Sequence, residues 1–197
     1  AGIPSATSIW ARGEAGLASI AWSEHNPSMN PLKRIGVFCG SSPGGDPAFT
    51  EAAKAVGTEL ARRGIGLVYG GGNVGLMGVV ADATLESGGE VIGVIPEALE
   101  GKELAHQGVT ELRVVASMHE RKALMEELSD GFVALPGGFG TFEELLEILT
   151  WSQLGIHRKP AGILNVSGYY DYLIAMFDHA VSQRLLSSSN RELVLTE

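Results

Sequence analysis

A single cysteine, Cys39, stands among 197 residues, so no internal disulfide braces this chain. That usage fits a reducing compartment, and the cytoplasm is the expected location. Cys39 ends an apolar run, which reads as a buried inert thiol rather than a nucleophile. No apolar run reaches the roughly 18 residues that a membrane span needs, and no membrane partner is expected. Basic blocks are absent too: 14 Lys and Arg stand against 23 Asp and Glu, for a net charge of −9. Without a cluster of cations to displace counterions, broad nucleic-acid binding is excluded. A small phosphorylated ligand is not excluded, because backbone amides and one arginine can hold it locally. The five histidines show no metal-ligand spacing, so neither a metal nor a cofactor is expected. What remains is an ordinary globular composition, 45% hydrophobic, at a length suited to one domain with a substantial core.

Residues 1–30 differ from the rest. They are rich in Ala, Ser and Gly, carry isolated Trp10 and Trp22, and lack the charged-then-apolar order of a signal peptide. Met29-Asn30-Pro31 reads as a natural start, which makes 1–30 an extension and 31–197 a single Rossmann-like domain. From Arg34 onward, strand and helix patterns alternate. Strands are expected at 35–39, 66–69, 90–95, 112–115, 131–135 and 161–164. Helices are expected at 48–63, 75–87, 118–128 and 169–183, with a further one capped by Thr141 and running to Leu154. Residues 97–109 read as a loop with a short helix. Such alternation predicts an α/β fold, a parallel sheet flanked by helices on both faces. The loops 40–45, 70–75 and 137–141 each follow a strand, so they gather at the carboxyl edge, where such sheets bind ligands.

The chain is organised around Pro136 to Glu144, PGGFGTFEE, a glycine-rich turn from a buried strand into a helix. Its glycines uncover the amides of Gly137, Gly138, Gly140 and Thr141, and the helix dipole adds partial positive charge, a seat for a phosphate. Glu143 and Glu144 are read into the helix's first turn. Glu143 aligns with Glu147 on a face expected to be solvated, whereas Glu144 aligns with Ile148 and Trp151 on a covered one. A second glycine cluster, Gly70 to Gly75, has no clean G-x-G-x-x-G spacing, and no acidic residue ends the second strand. The ligand therefore reads as a mononucleotide or sugar phosphate rather than NAD, with the helix from Gly75 as a second anion-binding terminus. Arg121 falls within the apolar stripe of Met118, Leu124, Met125 and Leu128. It either snorkels to solvent or meets an anion in a pocket. Lys122, beside it, reads as a rim or helix-surface charge.

Residues 33–195 resemble the LONELY GUY family, the cytokinin-activating phosphoribohydrolases often labelled possible lysine decarboxylases. The likeness rests on Pro136-Gly137-Gly138-Phe139-Gly140-Thr141-Phe142-Glu143-Glu144, matching PGGxGTxxE, and on Met118-His119-Glu120-Arg121-Lys122, matching M-x-x-R-K. Gly70-Gly71-Gly72-Asn73-Val74-Gly75-Leu76-Met77-Gly78 supports it. The resemblance implies hydrolysis of a cytokinin riboside 5′-monophosphate to free base and ribose 5-phosphate by a homodimer, with Arg121 and Glu144 as the catalytic pair. Substrate contacts are then expected from Gly71, Gly72, Met118 and Lys122, and from Pro136, Gly137, Gly138, Gly140, Thr141 and Glu143. The stretch 1–30 is not required by the family pattern.

Cleaving an N-glycosidic bond builds positive charge on the sugar, which a carboxylate such as Glu144 stabilises while orienting or deprotonating water. Arg121 suits either the substrate's anionic and hydroxyl groups or polarisation of the leaving base, and the spacing does not choose between them. A nucleotide carrier or sensor of the same fold needs the glycine loops but no Glu–Arg pair. A pyridoxal-phosphate decarboxylase needs a Schiff-base lysine, for which only Lys122 and Lys159 lie near the predicted pocket.

Overall fold

The structure, a computed structural model, describes residues 32–100 and 105–196. The predicted extension 1–30 lies outside them. Seven strands form one sheet: β1 (Arg34–Phe38), β2 (Gly66–Tyr69), β3 (Val91–Pro96), β4 (Glu111–Val115), β5 (Gly131–Ala134), β6 (Ala161–Ile163) and β7 (Val194–Thr196). Their order is β4-β3-β2-β1-β5-β6-β7, and every neighbouring pair is parallel. The helices are α1 (Pro47–Arg62), α2 (Gly75–Glu86), α3 (Glu97–Glu100), α4 (Met118–Leu128), α5 (Phe139–Gln153), α6 (Asp171–Ser182) and α7 (Ser188–Arg191). This is the Rossmann-like α/β architecture that the alternating pattern predicts.

Alternation along the strands builds two cores. Ile35, Val37, Leu67, Tyr69 and Val91 face one side of the sheet, where they meet Ala53, Val56 and Leu60 of α1 and Leu76, Val80 and Ala81 of α2. Phe38, Val68, Ile92, Val94, Phe132 and Ala134 face the other, against Met125 of α4 and Leu145 and Ile148 of α5. Burial of both faces is what lets the inner strands read as continuous apolar runs. Helix α1 starts where Asp46 accepts from the Ala48 amide, with Pro47 in the first turn, as capping chemistry requires. Gly57 lets α1 approach α2: a Cβ there would fall 2.5 Å from the Val80 carbonyl oxygen. No helix among the described residues is long and apolar enough to cross a membrane.

The structure departs from the sequence reading in a few places. Helix α5 begins at Phe139, with Gly138 as its cap residue, so Thr141 is not the cap but a buried first-turn residue. Consequently Glu143 and Glu144 belong to the second turn, and no acidic residue occupies the first. The last long helix starts at Asp171, after a 3₁₀ turn at Val166–Gly168. Strand β3 runs one residue past the expected 90–95, closing on Pro96, which pairs with Val115. Helix α7 and strand β7 are additional; at four and three residues, neither is long enough to show a period.

Candidate active site

The chain leaves β1 towards β2, while β5 flanks β1 on the other side. A crevice opens where the strand order reverses in this way, and the loops after β1 and β5 line it. Four segments converge there: Cys39, Gly40 and Ser41 after β1; Gly70 after β2; Arg121 in α4; and Gly138 to Thr141 and Glu144 of α5. They enclose a cavity of about 180 Å³, with Val37 and Met77 in its wall. An adjoining compartment of about 290 Å³ shares Gly40, Ser41 and Gly138 and is walled by Phe49, Leu76, Pro136, Gly137 and Tyr169.

Local capping sets Arg121 in place. Ser117 accepts from the Glu120 amide and Glu120 reaches back to the Ala116 amide at 2.8 Å, a reciprocal cap that fixes the first turn of α4. Arg121 is thereby turned inward and is only 6% exposed. It donates through Nη2 to the Gly70 carbonyl oxygen at 3.3 Å, and the same nitrogen lies 3.6 Å from Glu144 Oε1. Nη1 leans on the Met118 sulfur at 3.8 Å. Its Nε is buried without an acceptor among the described residues, so one donor of a cavity-lining guanidinium is left over. Glu144 is 9% exposed, on the covered row of α5 that the sequence predicts. The stripe position of Arg121 thus reflects a buried ion pair, not snorkelling.

At the start of α5 the first helical hydrogen bond runs from the Phe142 amide to the Gly138 carbonyl. The amides of Phe139, Gly140 and Thr141 precede it and have no intrahelical acceptor. They carry the positive end of the helix dipole and border the cavity. Gly137 has a steric reason to be glycine, since a Cβ would meet the Thr141 hydroxyl at 2.1 Å. Its carbonyl accepts from the Tyr169 hydroxyl at 2.5 Å, which holds the turn against the α6 side. The second anion seat expected at Gly75 is already filled. The Leu76 and Met77 amides both donate to the Gly40 carbonyl, and a Cβ on Gly75 would strike Ser41 at 2.3 Å. A protein carbonyl, not a ligand, satisfies that terminus.

Of the residues singled out from the sequence, Arg121, Glu144, Gly138, Gly140 and Thr141 line the cavity. Pro136 and Gly137 line the adjoining compartment. Gly71 and Gly72 line neither. Gly71, at φ +77°, packs against β3 and accepts from the His106 amide, and Gly72 bridges to Ala105. Met118 is 41% exposed and supports Arg121 from outside. Lys122 binds Glu143 and Glu147, so the acidic row of α5 carries a counter-ion instead of being simply solvated. The sequence reading passed over Gly70, Ser41 and Met77. Gly70 was recognisable as the residue that ends β2, where a Cβ would overlap Arg121 Nη2 at 2.1 Å. Gly70→Ala is therefore expected to expel Arg121 from its place and cut turnover at least tenfold, read as kcat on a nucleoside monophosphate; unchanged kcat would mean that Arg121 does not need this seat. Cys39 reaches the cavity wall, but burial, reinforced by Glu144, pushes its thiol well above the usual range, which keeps it protonated and non-nucleophilic.

Fold and site together define a class: a Rossmann-like protein with a helix N-terminus opening on a cavity beside a buried carboxylate–guanidinium pair. A family model described as "Possible lysine decarboxylase" matches residues 77–197. A rice relative (Oryza sativa subsp. japonica) named "Probable cytokinin riboside 5'-monophosphate phosphoribohydrolase" is 54% identical, covering 84% of this chain and 73% of its own length. An Arabidopsis thaliana cytokinin riboside 5'-monophosphate phosphoribohydrolase is 52% identical, covering 84% and 76%. The chain belongs to the LONELY GUY family. Among solved structures, the molybdenum cofactor binding protein of Rippkaea orientalis aligns with a TM-score of 0.60 over 84% of this chain and 89% of that one. At 24% identity it speaks for the fold alone.

Proposed function

We propose that this enzyme hydrolyses the N-glycosidic bond of cytokinin riboside 5′-monophosphates, releasing the free base and ribose 5-phosphate. The observation that carries this reading is the buried Arg121–Glu144 pair facing the open amides of α5. Phosphate on those amides brings the ribose against Glu144, so that binding energy is spent on orientation. Water's oxygen then bonds to the anomeric carbon as the carbon–nitrogen bond breaks. The base leaves with the electron pair and takes a proton, and Glu144 stabilises the positive sugar and orients the water. Adenosine monophosphate, with the same phosphoribose, is expected to be cleaved as well. We also place the enzyme in the cytoplasm as a homodimer. Apolar side chains left exposed on α5 and α6, Leu146, Tyr172 and Met176, support association with a second copy.

A carrier or sensor of the same fold has no use for a charged pair beside its ligand seat. The decarboxylase reading fares no better, because both candidate lysines are engaged: Lys122 by Glu143 and Glu147, Lys159 by Glu126. Incubation with isopentenyladenosine monophosphate and its bare riboside, followed by chromatography of the released base, tests the proposal. The monophosphate is expected to turn over at least about a hundredfold faster, as several charge-assisted amide contacts would give. Equal rates would refute the phosphate seat at Gly138 to Thr141.

A further inference from the structure

Gly70, Gly71 and Gly72 follow β2 with no side chain to anchor them, and glycine leaves the backbone freer than any other residue. Their position is therefore set through backbone contacts. Gly71 lies against β3, where a Cβ on Gly93 would meet its Cα at 2.9 Å. The turn at 105–109 supplies the hydrogen bonds. The His106 amide donates to the Gly71 carbonyl at 3.0 Å, and Ala105 pairs with Gly72 in an antiparallel bridge. One buried imidazole holds that turn in place. His106 Nδ1 accepts from the Gly108 amide at 3.1 Å, so the proton of the neutral ring sits on Nε2. Nε2 donates it to Asp82 Oδ1 at 2.9 Å. Asp82 belongs to α2, which packs into the core, so the ring ties the turn to a fixed element.

This run of contacts ends in the cavity. The Gly70 carbonyl accepts from Arg121 Nη2 at 3.3 Å, and that nitrogen is the one 3.6 Å from Glu144 Oε1. Gly71, whose carbonyl the His106 amide holds, is the next residue along. Neither His106 nor Asp82 lines the cavity or its adjoining compartment. We propose that His106 and Asp82 are positioning residues: the imidazole, braced on Asp82, holds the 105–109 turn against the three glycines and so fixes the Gly70 carbonyl that seats Arg121 beside Glu144. This rests on the phosphoribohydrolase reading, and it gives a use to a segment whose sequence shows no helical or strand period.

The test uses the full chain with isopentenyladenosine monophosphate. Asp82→Ala removes the acceptor, Asp82→Asn keeps a carbonyl oxygen in its place, and His106→Ala removes the ring. A positioning role predicts that His106→Ala loses about tenfold or more in kcat and Asp82→Ala about fivefold, as displacement by a fraction of an ångström can cause. KM should stay within about threefold, and Asp82→Asn should keep most of the rate. Gly70→Ala already unseats Arg121, so adding Asp82→Ala to it should cost less than about twofold more. Hydrogen exchange at the His106 amide should quicken in Asp82→Ala, since that amide is the tie to Gly71. Wild-type kcat in Asp82→Ala, or losses that multiply with Gly70→Ala, would overturn the proposal. Should His106→Ala not fold, the Asp82 variants decide, because that side chain is 56% exposed and its loss leaves no hole in the core. Absence of turnover in the wild-type enzyme would remove the hydrolase reading itself. Exchange at the His106 amide then decides alone: quickened in Asp82→Ala it supports the clasp, unchanged it overturns it.

Discussion

Glu144→Gln is expected to lower kcat on a nucleoside 5′-monophosphate by at least about a hundredfold, near 2.7 kcal/mol, with KM changed by no more than a few-fold. The amide matches the carboxylate in shape, so the cavity keeps its form and the amides at the start of α5 are untouched. What disappears is the negative charge, and that charge matters most when the sugar becomes positive. The reason for the expected loss is not the helix dipole, since Glu144 stands in the second turn of α5 and the dipole's effect fades after the first. It lies instead in burial, at 9% exposure, beside Arg121. Glu143→Gln should cost less than tenfold, because Glu147 still holds Lys122. Steady-state kinetics on both variants decide the matter: a Glu144→Gln enzyme as active as wild type would dispose of the mechanism.

The fold was legible because each inner strand is buried on both faces and each long helix keeps an apolar stripe; α4 falls on the predicted residues, Met118–Leu128. Periodicity runs out at the carboxyl end, where α7 and β7 are shorter than one full period of evidence. Boundaries failed where capping chemistry had two readings. Thr141 has the side chain of a cap residue, yet Gly138 takes that place, and the Thr141 hydroxyl packs instead over Gly137, where a Cβ would meet it. The site was half legible. A charge in an apolar stripe pointed to Arg121, and the row containing Ile148 and Trp151 pointed to Glu144. Which glycines border the cavity was not readable from composition, since Gly70, Gly71 and Gly72 are alike in sequence. Only the packing of β3 against Gly71 and of Arg121 against Gly70 tells them apart. The loss of the anion seat at Gly75 was likewise hidden, because its occupant, the Gly40 carbonyl, comes from a loop 35 residues away.

Arg121→Met should abolish measurable turnover and also lower stability, whereas Arg121→Met/Glu144→Gln should remain inactive yet regain most of that stability. Arg121 lies within the protein on almost all sides, and its removal takes the guanidinium from Glu144 and the donor from the Gly70 carbonyl. A buried carboxylate deprived of its counter-charge is costly. Both side chains border a cavity that water can enter, which reduces the penalty from the value for a sealed core to roughly 1–3 kcal/mol. For a chain of this size that corresponds to a fall in Tm of roughly 3–10 °C. Replacing Glu144 by its neutral isostere removes the stranded charge, and neutral substitutes for a buried ion pair are often as stable as the pair. The double variant therefore separates the two uses of the same residues: if the pair exists for catalysis, the protein tolerates its neutralisation and only turnover is lost. Differential scanning calorimetry alongside the base-release assay measures both quantities. A Tm in the double variant still lower than in Arg121→Met would mean that the pair is a structural brace, and a turnover in Arg121→Met close to wild type would remove the guanidinium from the mechanism.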